Sequence, residues 1–428
     1  MIVLPYDSDR AMNGVGTATA GSVPAPIVPG ERIVSLDVLR GFAILGILIM
    51  NIQSFSMIEA AYFNPTAYGD LSGINRWVWL LGHLIADTKF ISIFSMLFGA
   101  GIVLLAERLT SRGIKPAGVH YRRIMWLLLI GLMHGLLLWS GDILTTYSLV
   151  GVVAYLFWRR SPRTLLIVGL LVTAVSSALY ALAQWSLPYW FEQGGQQMLV
   201  MWRPGTEHVA AELSAYGGGW LAQMGARASA FLSVMTGGFW FFLSWRSGGM
   251  MLVGMALYKW GVLSAERTRR FYGWMAGLGL AVGYPIIAVG VARNFAAGWD
   301  FQYSFFAGSQ FNYWGSVLVA HGYIALVMLL VKMRPGGSLV RLMQPVGRMA
   351  FTNYLMQTVL MTTLFYGHGF GLFGQVERWG QILIVLAVWV FQVWFSNVWL
   401  ARFRFGPAEW LWRTLTYMKP QPMRRTTL

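Results

Sequence analysis

Asp87, Lys89, His134 and Asp142 each stand where an apolar run begins or ends, and these residue types together can move a proton. Asp87 and Lys89 precede Phe90-Ile-Ser-Ile-Phe-Ser-Met-Leu-Phe98-Gly99. His134 sits in Gly131-Leu-Met-His134-Gly135, eight residues before Asp142. If the helices that carry them pack together, two carboxylates, an ammonium and an imidazole converge in one leaflet of a membrane. The imidazole can act as base, a carboxylate can fix its tautomer, and the ammonium can stabilise an oxyanion. Plainer roles compete: Asp142 as a helix cap accepting backbone N–H groups, and Lys89 as a side chain that snorkels to the surface.

A second group gathers at the other end of the first apolar run. Arg32-Ile-Val-Ser-Leu-Asp37-Val-Leu-Arg40-Gly41 puts an acid and a base three residues apart on one side of a helix, where each offsets the other's desolvation. With the neighbouring basic loops, Asp37, Arg40 and Arg348 can cradle a phosphorylated donor, since arginine makes paired contacts to phosphate. An ion pair that merely locks the helix start is the competing reading. Asn51, about three turns past Arg40, can line the same groove. Asn353 and Gln357, one turn apart after Gly347-Arg348, either line a polar cavity or knit helices together. Near the end, Phe405-Gly406-Pro407-Ala408-Glu409-Trp410-Leu-Trp412-Arg413 reads as an interfacial anchor with Glu409 and Arg413 paired one turn apart.

These residues have to be placed by membrane-spanning helices. The chain of 428 residues is 57% hydrophobic and 11% charged, with 21 Trp, which fits a bilayer as solvent. Its net charge of +16 lies in short loops between apolar runs, where it sets orientation and faces anionic lipid; no nucleic acid is expected. With no cysteine, thiolate chemistry and Cys-ligated metals are excluded. The His residues form no metal-ligand spacing, and no phosphate-binding glycine loop or G-x-S-x-G elbow is present, so no metal is expected.

The expected fold is all-α: a polytopic transmembrane bundle of about ten spans, beginning near Leu36, Phe90, Ile124, Ile143, Leu165, Phe239, Phe271, Phe311, Ala350 and Ile382. Every second junction is basic (Arg108 to Arg123, Arg159 to Arg163, Lys259 to Arg270, Lys332 to Arg348, Arg402 to Arg425), which puts both termini in the cytoplasm. Residues 1–30 read as a flexible cytoplasmic tail, 31–187 as spans one to five, 188–238 as an outer-face segment with amphipathic helices, and 239–428 as spans six to ten. Trp77 to Asp87 reads as an interfacial or re-entrant helix before the second span.

Three blocks resemble the bacterial YeiB-type family, whose C-terminal half is catalogued as domain of unknown function 418. They are S-L-D-V-L-R-G-F-A-I-L-G-I-L-I-M-N-I (35–52), K-F-I-S-I-F-S-M-L-F-G-A-G with G-L-M-H and W-S-G-D-I-L, and G-R-M-A-F-T-N-Y-L-M-Q with F-G-P-A-E-W-L-W-R-T-L-T-Y. The resemblance implies a multi-pass protein of the bacterial inner membrane. The first block is also similar to the opening of heparan-alpha-glucosaminide N-acetyltransferase, and more distantly the family resembles transmembrane acyltransferases, which carry an acyl group from cytoplasmic acyl-CoA to an acceptor, usually a sugar. In those enzymes an Ala-Asp pair opens the second span, matched here by Ala86-Asp87; their histidine some ten residues earlier is replaced by Trp77, and the nearest is His83.

The reading that follows is an acyltransferase-like protein. Acyl-CoA docks at Asp37 and Arg40, and His134 or His83 activates a sugar or lipid acceptor with Asp87, Asp142 or Lys89 in support. A transporter, or a binding protein for a lipid or small solute, uses the same polar interior without forming a bond; a purely structural scaffold is the third reading. Contact with membrane lipids is expected on any of them, and an oligomer is compatible with all.

Overall fold

In the computed structural model, which describes residues 32–190 and 195–425, the elements are helices, with one isolated bridge between Phe403 and Arg424. The tail expected over 1–30 lies outside the described residues. The first half runs α1 (Val34–Ser56), α2 (Glu59–Phe63), α3 (Gly73–Ile85), α4 (Lys89–Ser111), α5 (Pro116–Leu137), α6 (Leu144–Ala154) and α7 (Pro162–Trp190). The segment after α7 holds α8 (Gly195–Trp202) and α9 (Thr206–Gly217), followed by α10 (Met224–Ser233), a π-helical stretch Val234–Leu243 and α11 (Ser244–Lys259). Then come α12 (Arg269–Ala296), α13 (Phe301–Tyr303), α14 (Ser309–Met333), α15 (Ser338–Arg348), α16 (Ala350–Phe365), α17 (Arg378–Arg402) and α18 (Pro407–Tyr417). In hydrocarbon a backbone must satisfy its own polar groups, so helices are the natural answer to these apolar runs.

The helices are amphipathic in the sense opposite to that of a soluble bundle. Along α17 the outward stripe Leu383, Leu386, Val390, Trp394 and Val398 is exposed, while Gln381, Gln392 and Ser396 are buried against neighbours. Apolar side chains facing out and amides facing in are what a lipid surround selects. Backbone-to-backbone contact helps: a Cβ on Gly254 of α11 would run into the Met96 carbonyl of α4, and one on Gly99 of α4 into that of Met251.

Among the described residues seven helices are long and apolar enough to cross a membrane: α1, α3 with α4, α7, α10 through α11, α12, α13 with α14, and α17. The other three expected windows fall on α5, α6 and α16. Ten crossings with both termini inside is therefore a proposal that counts these three as spans. One boundary differs from expectation: helix starts at Met224 and passes residue 238 without a stop. Gly237-Gly238 weakens an α-helix, and here the chain widens into π turns instead of breaking.

The topology proposal predicts that in the cysteine-free background, a cysteine at exposed Arg160 stays unlabelled by an impermeant maleimide in intact cells, while one at exposed His368 is labelled. Labelling of Arg160→Cys from outside would reverse the orientation.

Candidate functional site

Between α3 and α4 the chain leaves the helix at residues 86–88, inside one long apolar stretch. Thr88 takes a left-handed backbone, φ 60°, a conformation a β-branched residue adopts at a cost of about 1–3 kcal/mol. Side chains from distant helices hold the break. Lys89 Nζ donates to the carbonyl of His83 at 2.7 Å and to Oδ1 of Asn312 at 2.8 Å. Asn312, on α14, donates through Nδ2 to Asp87 at 2.8 Å, and Tyr323 donates to the carbonyl of Ile85 at 2.9 Å. Lys89 is fully buried, so it does not snorkel as its competing reading had it.

His83 and Asp87 lie one turn apart, Nδ1 to Oδ2 3.0 Å, and the imidazole stacks on Trp79. Among the described residues no protein atom bonds Nε2 of His83, and both side chains of the pair keep 16% of their surface open. A carboxylate on Nδ1 sets the tautomer that leaves Nε2 free to accept a proton. Behind Lys89, Arg246 of α11 is buried and donates to Ser92 Oγ, Ser316 Oγ and the carbonyl of Tyr313.

His134 forms a separate cluster. Its Nδ1 is 2.9 Å from Asp142 Oδ1, and its Nε2 is 2.9 Å from the Thr358 hydroxyl on α16. Asp142 Oδ2 also accepts the backbone N–H of Thr145 at 2.7 Å, so capping and pairing with His134 coexist in one carboxylate. All three side chains are buried. The single convergence of Asp87, Lys89, His134 and Asp142 expected from sequence is thus two sites, each with its own histidine and carboxylate.

At the mouth of the bundle where α1 begins, Arg40 donates to Asp37 at 3.0 Å, and Arg32 approaches the other carboxylate oxygen at 4.0 Å. A side chain on Gly347 would collide with the Asp37 carbonyl, so α15 is pressed against α1 and brings Arg348 to the mouth. Burial, together with Arg32, Arg425 and Arg413, lowers the Arg348 guanidinium to about 10 against the pull of Asp37. Its Nε is buried without a protein partner. A crowd of cations around one carboxylate is suited to phosphates. The expected Glu409–Arg413 pair is not among the ion pairs of the described residues. Glu409 instead accepts from the backbone N–H groups of Phe351 and Thr352 and from the Thr352 hydroxyl, because the first turn of α16 has N–H groups without helical partners. Arg413 lies over the ring of Phe405.

Asn353 bonds Ser396, and Gln357 bonds both the Ile44 carbonyl and Gln392, so the geometry of these two amides is that of a seam joining α16, α17 and α1. Asn51 is half-buried on α1. Arg246, Asn312, Ser92 and Thr358 were not singled out in the sequence. Arg246 alone carried a signal, as the charged residue in the middle of an apolar run. Among the described residues no three His, Asp or Glu side chains are grouped as metal ligands.

The family model described as protein of unknown function (DUF418) matches residues 257–419. The chain is 34% identical over 412 residues to uncharacterized protein YeiB of Escherichia coli (strain K12), covering 92% of this chain and 98% of the relative. It is also 34% identical over 429 residues to uncharacterized protein YxaH of Bacillus subtilis (strain 168), covering 94% and 98%. An uncharacterized 39.9 kDa protein of Bacillus acidopullulyticus is 27% identical over 405 residues, covering 93% and 97%. No solved structure matches.

The segment after α7 yields a pH prediction. Glu212 of α9 accepts the backbone N–H of Glu59 on α2, and burial plus the neighbouring Glu59 carboxyl raise it from 4.5 to about 7. Between those values the folded state holds a proton that the unfolded chain has released, so stability falls as pH rises from about 4.5 to 7. Melting curves at pH 5 and 8 should differ by on the order of 1 kcal/mol more for wild type than for Glu212→Gln. Equal pH dependence in the two proteins would remove this role for Glu212.

Proposed function

The chain belongs to the DUF418 family of YeiB-like proteins, and from the site it carries we propose that it transfers an acyl group from cytoplasmic acyl-CoA to an acceptor at the membrane or its outer face. The inner membrane of a bacterium is the setting this reading takes. The observation that carries it is the His83–Asp87 pair, with Nδ1 held and Nε2 free. His134 has both nitrogens engaged, one by Asp142 and one by Thr358. His83 is therefore the better base.

Acyl-CoA would set its phosphates among Arg32, Arg40 and Arg348. Phe90, beside Lys89, packs on Gly46, nine residues beyond Asp37 and so about 13 Å along α1 from the mouth. A thioester on an extended arm is a suitable way to cross such a gap. His83 Nε2 takes the proton of the acceptor hydroxyl or amine as its oxygen or nitrogen attacks the thioester carbonyl. Lys89, bonded to the His83 carbonyl and to Asn312, would keep positive charge beside the pair as negative charge develops on the thioester oxygen. The carbon–sulfur bond breaks, the new ester or amide keeps the acyl group, and the proton passes from His83 to the departing thiolate, giving free CoA. A transport reading draws on one feature, the helix broken beside a buried charge, which is how many transporters build a midplane site.

Free thiol released from acetyl-CoA by the purified protein in proteoliposomes of bacterial lipid can be read with a thiol reagent, since the chain contributes no cysteine. Wild type should exceed empty vesicles, and His83→Ala or Asp87→Asn should lower the rate roughly a hundredfold or more, with His134→Ala closer to wild type. Loss in His134→Ala with retention in His83→Ala would move the chemistry to the Thr358 cluster. No release by wild type would leave transport as the better reading.

A further inference from the structure

The buried charges around the α3–α4 break do not balance. Lys89 and Arg246 are both cut off from solvent, at 0% and 1% exposure. Neither is among the ion pairs of the described residues, and the carboxylate nearest to them in the hydrogen-bond network is Asp87, which accepts from the same Asn312 that accepts from Lys89. Two cations thus share one carboxylate, and that carboxylate is already engaged by His83 and Asn312. The two cations are neighbours. Lys89 and Ser92 lie one turn apart on α4, and Ser92 accepts from Arg246; Asn312 and Ser316 lie one turn apart on α14, and the first accepts from Lys89 while the second accepts from Arg246. Arg246 meets hydroxyls and a carbonyl, none of which carries charge.

A unit of uncompensated positive charge in the apolar interior costs several kcal/mol and is tolerated where a counter-charge joins it. Donors remain for one. The ammonium uses two of its three N–H groups, on His83 and Asn312, and the guanidinium four of its five, on Ser92 twice, Tyr313 and Ser316. The open edge of the cluster is the His83–Asp87 pair, so a ligand arriving from that side meets the imidazole before the cations.

We infer that the cluster of Lys89, Arg246 and the His83–Asp87 pair is a binding site for a substrate bearing a carboxylate, whose single negative charge completes the count. A planar carboxylate suits one ammonium and one guanidinium donor, and its monovalency matches the excess of one. The inference goes beyond acyl transfer and does not depend on it: it assigns the charge of the ligand, whichever bond is or is not made.

The test is the thermal stability of the purified full chain in neutral detergent at fixed chloride and pH 6.5, titrated with acetate offered from water or decanoate offered from the micelle, with acetamide and decanol as uncharged counterparts. A saturable rise in Tm with a carboxylate and none with its neutral counterpart supports the site, and the ligand with the lower half-saturation tells whether the carboxylate comes from water or from the bilayer. Lys89→Met and Arg246→Met should each raise the half-saturating concentration roughly tenfold or more. Asp87→Asn, which leaves two cations without a carboxylate, should lower it, so the proposal survives if a cation variant fails to fold. The carboxylate response is read in the absence of any thioester, so its presence without thiol release, or its absence with thiol release, separates this inference from the acyl-transfer reading. An unchanged half-saturation in Lys89→Met and Asp87→Asn, or no carboxylate response in wild type, would overturn it.

Discussion

Where α3 gives way to α4 the main chain abandons helical hydrogen bonding inside an apolar stretch, and the polar groups it frees must be met by side chains. The carbonyls of His83 and Ile85 and the side chains of Asp87 and Thr88 would otherwise face hydrocarbon, at several kcal/mol for each unsatisfied group. Asn312 is the hub, since its carboxamide accepts from Lys89 through oxygen and donates to Asp87 and Thr88 through nitrogen. Nearly everything in the candidate site follows from this requirement. The break turns Asp87 toward His83, draws Lys89 inward, and gives Tyr323 its acceptor.

Two histidines carry the same pairing with opposite chemical prospects. In both, Nδ1 meets a carboxylate at about hydrogen-bond distance. What separates them is the far nitrogen, closed by a threonine hydroxyl in His134 and unbonded by protein in His83. Burial reinforces the contrast, because an acceptor can approach a side chain that is partly open without displacing a packed helix. His134 with Asp142 and Thr358 is better suited to fastening α5, the turn after it and α16 together.

The all-helical class and the ten helix-bearing windows were legible because the apolar runs are long and the basic loops alternate. The Asp37–Arg40 pair was legible because its two partners are three residues apart. Asn312, Arg246 and Thr358 escaped because their partners are 223, 154 and 224 residues away, and only Arg246, a charge inside an apolar run, carried any local mark. Glu409 was misread for a related reason: a helical neighbour was in view at Arg413, and the uncapped N–H groups of α16, nearly sixty residues earlier, were not. The inward amides of α17 were visible as letters but not as a seam, since their meaning depends on which face meets lipid.

The distance in sequence between Lys89 and Asn312 also bears on how the protein is made. At roughly 5–20 residues per second, the 223 residues between them take about 10 to 45 seconds to synthesise. Throughout that interval α4 is long enough to be inserted, yet its leading ammonium lacks Asn312, and for most of it the Arg246-bearing helix as well. The α3 segment, amphipathic with Ile74, Trp77 and Leu81 outward, can wait at the bilayer surface and keep Lys89 in contact with water. The centre of the bundle then closes only after α14 has left the ribosome, and a chain stalled or cut before residue 312 would carry the ion pair of α1 and the His83–Asp87 pair but not the Asn312 that joins Asp87 to Lys89.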